Sequence, residues 1–330
     1  MKKIILLMNA NQRKKIFKND DLDQLSKFGE VSCNPDEKDP DTERAKELVK
    51  DANIIITSWG CPQLNKEILD QAPNAKLIIH AAGSVKGIVS DEIWKRGIRV
   101  SGCAQALGIG VAETALGFTI ASMKNMWKLA QNTKQGKWAE GRNDVREVYS
   151  ITVGVISAGR AGAHYIKLMK NFDVRVLLYD PFVNEKKAAA MGVEKTDLNE
   201  LLKESDVVSI HAPSIPETYH MFNSETLALM KDDAVLINTA RGSLIDEQAL
   251  VAELKKGRLF ACIDVTDPEP PTEDHPFRSL PNVVMTPHIA GAVTNGLNRI
   301  AKYAVNEIRL YLNGEAMDGE VLQSAISNLA

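Results

Sequence analysis

Apolar residues in this chain cluster in short runs, and the polar stretches between them carry apolar positions at helical spacing. Over the first hundred or so residues this pattern predicts strands at 3–8, 54–57, 76–80 and 98–101. Helices are predicted between them at 20–28, 41–51, 64–71 and 90–95, with Asp41 or Thr42 as the cap of the second. Pro35, Asp36, Asp39 and Pro40 mark a loop. Strands alternating with helices build a parallel sheet covered on both faces. The same grammar returns from residue 151, with strands at 151–156, 174–179, 206–210, 233–238, 259–265 and 282–285. The intervening helices are 160–172, 197–203, 224–230 and 246–256, the last bounded by Asp246 and Gly257.

Two stretches depart from this alternation. Residues 111–131 form a long, mostly apolar helical pattern with Glu113 near its start. A helix that apolar must be covered on more than one side, as core or as a subunit interface. An amphipathic helix at 294–312, followed by a polar tail, ends the chain. By this pattern the first hundred or so residues form a small α/β domain of their own.

Composition narrows the class. The chain has 330 residues, 44% hydrophobic and 25% charged, which is enough core for two domains. A net charge of −3 offers no footprint for nucleic acid. Cys33, Cys61, Cys103 and Cys262 are scattered, without metal-site or redox spacing, so free thiols and no bound metal are expected. The apolar run 4–8 is too short for a signal sequence, and no stretch is expected to span a membrane. A cytoplasmic protein without a membrane partner follows.

The richest chemistry begins at Val153-Gly154-Val155-Ile156-Ser157-Ala158-Gly159-Arg160-Ala161-Gly162. Strand, tight turn, helix and a second strand ending in Asp180 make the layout of a dinucleotide-binding unit. Gly159 permits close approach of a pyrophosphate, and Gly162 permits close packing of helix on sheet. The free N–H groups near Arg160 and Ala161 suit an anion. Asp180 is placed to accept from ribose hydroxyls and to repel a 2′-phosphate, which favours NAD over NADP. Ser157 stands where the fingerprint has its first glycine. If the backbone there needs a positive φ, serine costs about 1 kcal/mol or more. A tight turn without a ligand is the competing reading.

Three later segments follow successive strands: Asn238-Thr239-Ala240-Arg241-Gly242, then Asp264-Val265-Thr266-Asp267-Pro268-Glu269-Pro270, then Thr286-Pro287-His288-Ile289-Ala290-Gly291. In an open α/β sheet, ligands lie outside the carboxyl ends of the strands. There an arginine suits a substrate carboxylate, a histidine suits proton transfer, and a carboxylate beside the histidine orients its ring. Taken singly, Arg241 reads as a surface pair, Glu269 as a solvated acid and His288 as a cap; together they read as a site.

With these residues the chain resembles the D-isomer-specific 2-hydroxyacid dehydrogenase family. The likeness runs from Ala82-Gly83-Ser84-Val85 through Val111-Ala112-Glu113, Gly136-Lys137-Trp138, Tyr179-Asp180-Pro181 and His211-Ala212-Pro213 to the three segments above. It implies two doubly wound parallel-sheet domains, a flavodoxin-like substrate domain of residues 1–102 and 290–330, completed by the C-terminal helix, and a Rossmann coenzyme domain of 103–289. It also implies Arg241, Glu269 and His288 as the catalytic set, and NAD as cofactor. Contacts to NAD are implied for Gly159, Arg160, Ala161, Asp180, His211, Ala212, Pro213, Thr218, Thr239, Asp264 and Gly291, with Asp264 on the nicotinamide carboxamide. The carboxylate of a small 2-hydroxyacid or 2-ketoacid falls to Gly83, Ser84 and Arg241, and a homodimer forms through 109–150. The sequence departs from the family at Ser157 and in the loop Gly83-Ser84-Val85-Lys86-Gly87, which has Lys86 and lacks the usual aspartate. Trp59 and Trp138 are candidates for pocket walls or for packing. An NAD(H)-sensing interaction protein without catalysis is the alternative on the same scaffold, and Ser157 favours it. A formate-type dehydrogenase is disfavoured by Glu269.

Overall fold

The apolar runs become two separate sheets in the computed structural model, which describes residues 1–329. In the first hundred or so residues lie β1 (Lys3–Leu6), β2 (Glu30–Cys33), β3 (Ile54–Thr57), β4 (Leu77–His80) and β5 (Arg99–Gly102). Every residue of β3 and β4 is buried, as continuous apolar runs in a doubly covered sheet require. From residue 151 onward come β6 (Thr152–Ile156), β7 (Arg175–Tyr179), β8 (Glu194–Lys195), β9 (Val207–Ile210), β10 (Ala234–Asn238), β11 (Leu259–Ile263) and β12 (Val283–Met285). The chain divides into one unit of Met1–Leu107 with the segment from Ala292 onward, and another of Gly108–Gly291. The two boundaries lie a few residues beyond the sequence-based ones at 102/103 and 289/290.

In the first unit the sheet order is Glu320–Val321, β5, β4, β3, β1, β2. The five numbered strands are parallel, and Glu320–Val321 pairs antiparallel with β5. One apolar cluster, with Ile55, Ile68 and Ile78, covers one face; another, with Ile56, Ile79 and the C-terminal helix residues Ile300 and Ala304, covers the other. The segment expected as a polar tail is therefore partly a strand. Its cause is the buried Glu307, whose carboxylate accepts from Ser101 Oγ (2.5 Å), Asp318 N (3.1 Å) and Gly319 N (2.9 Å). Arg99 then grips Glu320 with two donors, at 2.6 and 2.8 Å. The strand β2 escapes the sequence pattern because Glu-Val-Ser-Cys mixes polar and apolar residues at an edge, where nothing forces both faces to be dry.

In the second unit the order is β12-β11-β10-β9-β6-β7-β8, with every pair parallel. This is the doubly wound order with one further strand, reversing direction between β6 and β9. Phe222, Leu236 and Leu250 pack one face, and Tyr165, Val155 and Ile237 the other. The sequence pattern passed over β8 and the helix Glu185–Met191 before it, which Asn184 caps.

The long helix expected at 111–131 is two helices, Ala104–Met123 and Met126–Lys134, separated at Asn125 with φ 51°. The first is long and apolar enough, by length and composition alone, to cross a membrane, contrary to the sequence expectation. Such a stretch also suits a core helix, and Ala112, Ala115, Phe118 and Met123 are buried in the second unit's core.

His80, at the end of β4, is 4% exposed, with Nδ1 2.9 Å from Thr57 Oγ1 and a hydrogen bond to the Ser84 backbone. Burial pushes its pKa down from 6.5 to about 4, and the Ser84 bond opposes that shift. The unfolded chain therefore takes up a proton before the folded one does. This contribution to stability is complete above pH 6.5 and is lost as the pH falls towards 4. The loss is on the order of 3 kcal/mol. Denaturant titrations at stepped pH should show stability falling across that window, and His80→Gln should flatten the slope. An equal slope in the variant would place the effect elsewhere.

Candidate active site

Because the second sheet is wholly parallel, the carboxyl ends of its strands share one edge. Each of six strands delivers a residue named from the sequence. Ser157 follows β6, Asp180 follows β7, His211 follows β9, Thr239 follows β10, Asp264 follows β11 and Thr286 follows β12. Strand order sorts them. Gly159, Asp180 and His211 follow β6, β7 and β9, neighbours in the order β7-β6-β9, while Arg241, Glu269 and His288 follow the neighbours β10, β11 and β12.

On the first side, Ser157 adopts φ 71°, the left-handed region that serine occupies only at a cost. The turn needs that conformation, and the serine hydroxyl returns something for it by donating to Asp180 Oδ2 at 3.2 Å. Asp180 is 5% exposed. It also accepts from Ala158 N (2.8 Å) and Phe182 N (2.8 Å), so three of about four acceptor positions are filled, two of them by the turn after β6. Gly162 is obligatory: a Cβ there would lie 2.0 Å from Ser157 O. At Gly159 a Cβ would meet only Ser157 Oγ at 3.7 Å, so the chain itself does not demand glycine there. Gly159 caps the helix Arg160–Met169, and no side chain caps the first turn, which leaves its N–H groups to an anion.

His211 is buried, with Nε2 2.9 Å from Ser209 Oγ and no partner for Nδ1. Burial pushes its pKa down to about 3, which keeps it neutral. Ala212 is buried beside it. Thr218, expected to face the cofactor, turns its hydroxyl into its own turn, to Pro213 O (2.6 Å) and Ile215 O (3.1 Å).

On the second side, Asn238 fixes the turn that carries Arg241. It is wholly buried, accepts from Ala240 N (3.0 Å) and donates to Arg241 O (2.8 Å). The Arg241 guanidinium donates to Ala240 O at 2.6 Å, and no carboxylate among the described residues pairs with it. Its remaining donors are open to an anion. A Cβ on Gly242 would lie 2.1 Å from Thr266 C, so this turn packs backbone to backbone against the next loop. Asp264, 2% exposed, accepts from Thr286 Oγ1 (2.5 Å), Ile289 N (2.9 Å) and Ala290 N (2.8 Å). Its carboxylate, expected on the nicotinamide, is spent mainly on holding the His288 loop. His288 itself has φ 52°, and its N–H reaches Asp264 O at 2.9 Å. Its Nδ1 lies 2.6 Å from Glu269 Oε1, both side chains are nearly half exposed, and Nε2 is left free among the described residues. Gly291 O lies against the helix Ala104–Met123, 3.1 Å from where a Cβ on Gly110 would be.

In the first unit, Gly83 and Ser84 are half-buried just beyond β4. Lys86 N donates to Ser84 Oγ at 3.4 Å, and His80 bonds the Ser84 backbone.

The family described as D-isomer specific 2-hydroxyacid dehydrogenase, NAD binding domain, matches residues 116–290. The chain belongs to this family. It is 34% identical over 281 residues to D-3-phosphoglycerate dehydrogenase of Methanocaldococcus jannaschii, covering 84% of this chain and 53% of that protein. The chain thus spans about half the length of that relative. It is 32% identical over 310 residues to glyoxylate reductase of Korarchaeum cryptofilum, covering 92% of this chain and 93% of that one. Among solved structures, an acyclic imino acid reductase in complex with NADPH and D-Arg superposes with a TM-score of 0.77 at 26% identity, over 97% of this chain and 100% of that one. The family is one of NAD-dependent oxidoreductases, and these relatives lend no support to a non-catalytic sensor.

The family's cofactor fits the residues present. An uncapped helix start beside Gly159, and two buried polar atoms without partners, Thr239 Oγ1 and His211 Nδ1, are what a dinucleotide would complete. Sequence reasoning missed the role of Asn238 in fixing the Arg241 turn, although an asparagine directly before a turn was a legible signal.

Glycine at position 157 removes the backbone strain, about 1 kcal/mol, and also a hydrogen bond worth about 1 kcal/mol. Ser157→Gly should therefore melt close to wild type, and Ser157→Ala, which keeps the strain and loses the bond, should melt lower. Gly162→Ala should weaken NADH binding more than about tenfold in a fluorescence titration, since its Cβ forces the turn open. Wild-type affinity in that variant would show that the turn does not form the cofactor cradle.

Proposed function

We propose that this family member interconverts a small 2-hydroxyacid and its 2-ketoacid with NAD(H), using Arg241, Glu269 and His288. One observation carries this: the Glu269–His288 pair at 2.6 Å, with Nε2 free, two strand-ends from an arginine without a carboxylate partner. Arg241 binds the substrate carboxylate with its planar fork and polarises the keto oxygen. Because Glu269 occupies Nδ1, the ring presents Nε2, which gives a proton to the forming hydroxyl in reduction and removes it in oxidation. Bound NAD(H) would supply or accept the hydride. Gly159 and the start of its helix would hold the pyrophosphate, and Asp180 would accept from a ribose hydroxyl with its remaining position. Ala212, Pro213, Thr239 and Gly291 would also hold the cofactor. Exposed Met126, Trp138 and Tyr149 support a homodimer through 109–150, and four free cysteines support a cytoplasmic location.

Wild-type enzyme should oxidise NADH with at least one member of a panel of glyoxylate, hydroxypyruvate, 4-methyl-2-oxopentanoate and 3-phosphohydroxypyruvate. Arg241→Ala should lower kcat/KM by about a thousandfold or more, and His288→Gln should remove turnover while NADH still binds. Near-normal kcat/KM in either variant refutes the role given to that residue.

Light scattering should give twice the chain mass. The pair Met126→Glu and Trp138→Glu should shift it to a monomer. A wild-type monomer at micromolar concentration would rule out this interface.

A further inference from the structure

Glu269 stands on an exposed loop that leaves β11 and returns at Pro276. An exposed loop fixes a catalytic geometry poorly unless something holds its ends. Here one carboxylate touches both. Glu247, the first residue of the helix Glu247–Lys255, accepts from Asp267 N through Oε1 at 3.0 Å. Its Oε2 lies 2.9 Å from His275 Nε2. His275 Nδ1 accepts from Phe277 N at 3.3 Å, so the ring proton is on Nε2 and points at Glu247. The ring also meets Phe277 edge-on, with centroids 4.6 Å apart. The Glu247 and His275 side chains are 13% and 14% exposed. Burial pushes the Glu247 carboxyl above its usual range, and the Asp267 N–H and His275 oppose that rise. Other anchors serve single points: Thr266 Oγ1 donates to Pro268 O at 2.9 Å, and Arg278 donates to Thr272 O at 2.9 Å and to Pro271 O at 3.0 Å.

We propose that Glu247 is a positioning residue of the reaction: by tying Asp267 to His275 it fixes the loop that presents Glu269 to His288. This rests on the reading above that Glu269 and His288 act in the chemistry. Glu247 touches neither substrate nor the reacting atoms; it works through Glu269. Its loss should therefore appear in kcat and not in cofactor binding, and it should cost nothing further once Glu269 is gone.

The test is a double-mutant cycle on 2-ketoacid reduction with Glu247→Ala, Glu269→Ala and the pair, alongside thermal midpoints. Glu247→Ala is expected to lower kcat about tenfold with the KM for NADH held within about twofold. In the Glu269→Ala background the same change should move kcat by less than about twofold. His275→Gln, whose amide can still donate to Glu247, should retain more kcat than His275→Ala. Full additivity in the cycle, or an unchanged kcat in a folded Glu247→Ala, overturns the proposal. If Glu247→Ala fails to fold, the His275→Ala cycle is read by the same criteria. Should Glu269→Ala alone keep kcat within about twofold, the reading of Glu269 falls and this proposal falls with it.

Discussion

A parallel strand that ends at a functional edge leaves backbone N–H groups with no strand to receive them, and a buried N–H without an acceptor is costly. This protein meets that constraint with side-chain acceptors beside the strand ends. Asp180 receives the turn after β6, Asp264 receives the loop after β12, Asn238 receives its own turn, and Glu247 receives the loop after β11. In the first unit Glu307 does the same for Asp318 and Gly319. A hydrogen bond to a charged group contributes about 1.5–3 kcal/mol, and several on one carboxylate offset the cost of burying it.

This division separates buried carboxylates that hold turns from exposed groups left open to solvent. Asp180 and Asp264 are nearly inaccessible, and most of their acceptor positions are filled from within. Glu269 and His288 remain open to solvent, paired only with each other, and Arg241 keeps donors without a carboxylate. At the same edge, after β9 and β10, His211 Nδ1 and Thr239 Oγ1 are buried without partners, and the helix after β6 starts without a side-chain cap. A fold that satisfies nearly everything else has left these for a ligand.

Topology then assigns each strand end its task. The sheet reverses direction between β6 and β9, and the phosphate-cradle turn follows β6. The arginine, glutamate and histidine follow three consecutive neighbours, β10, β11 and β12, on the far side. Membership in the 2-hydroxyacid dehydrogenase family agrees with this division, because the family match spans most of this sheet's unit.

The sequence by itself determined the two sheets, most of their strands, the dinucleotide layout and the arginine, glutamate and histidine. All of these are written in local periodicity or in short motifs. It did not determine β2, β8 or Glu320–Val321, where edge position or pairing with a distant strand supplies what local apolarity does not. Nor did it show which donors the buried acids receive. Asp264, 2% exposed, accepts from the backbone of the His288 loop, and Thr218 bonds within its own turn. Glu247 and His275 carried no signal, since residues 28 apart in sequence meet only after the helix has packed on its strand. Ser157 shows the division most clearly. Sequence marked it as a departure; the tertiary structure gave it φ 71° and set Asp180 within reach of its hydroxyl. Which acceptor each donor finds is a property of chain segments brought together, and no local pattern encodes it.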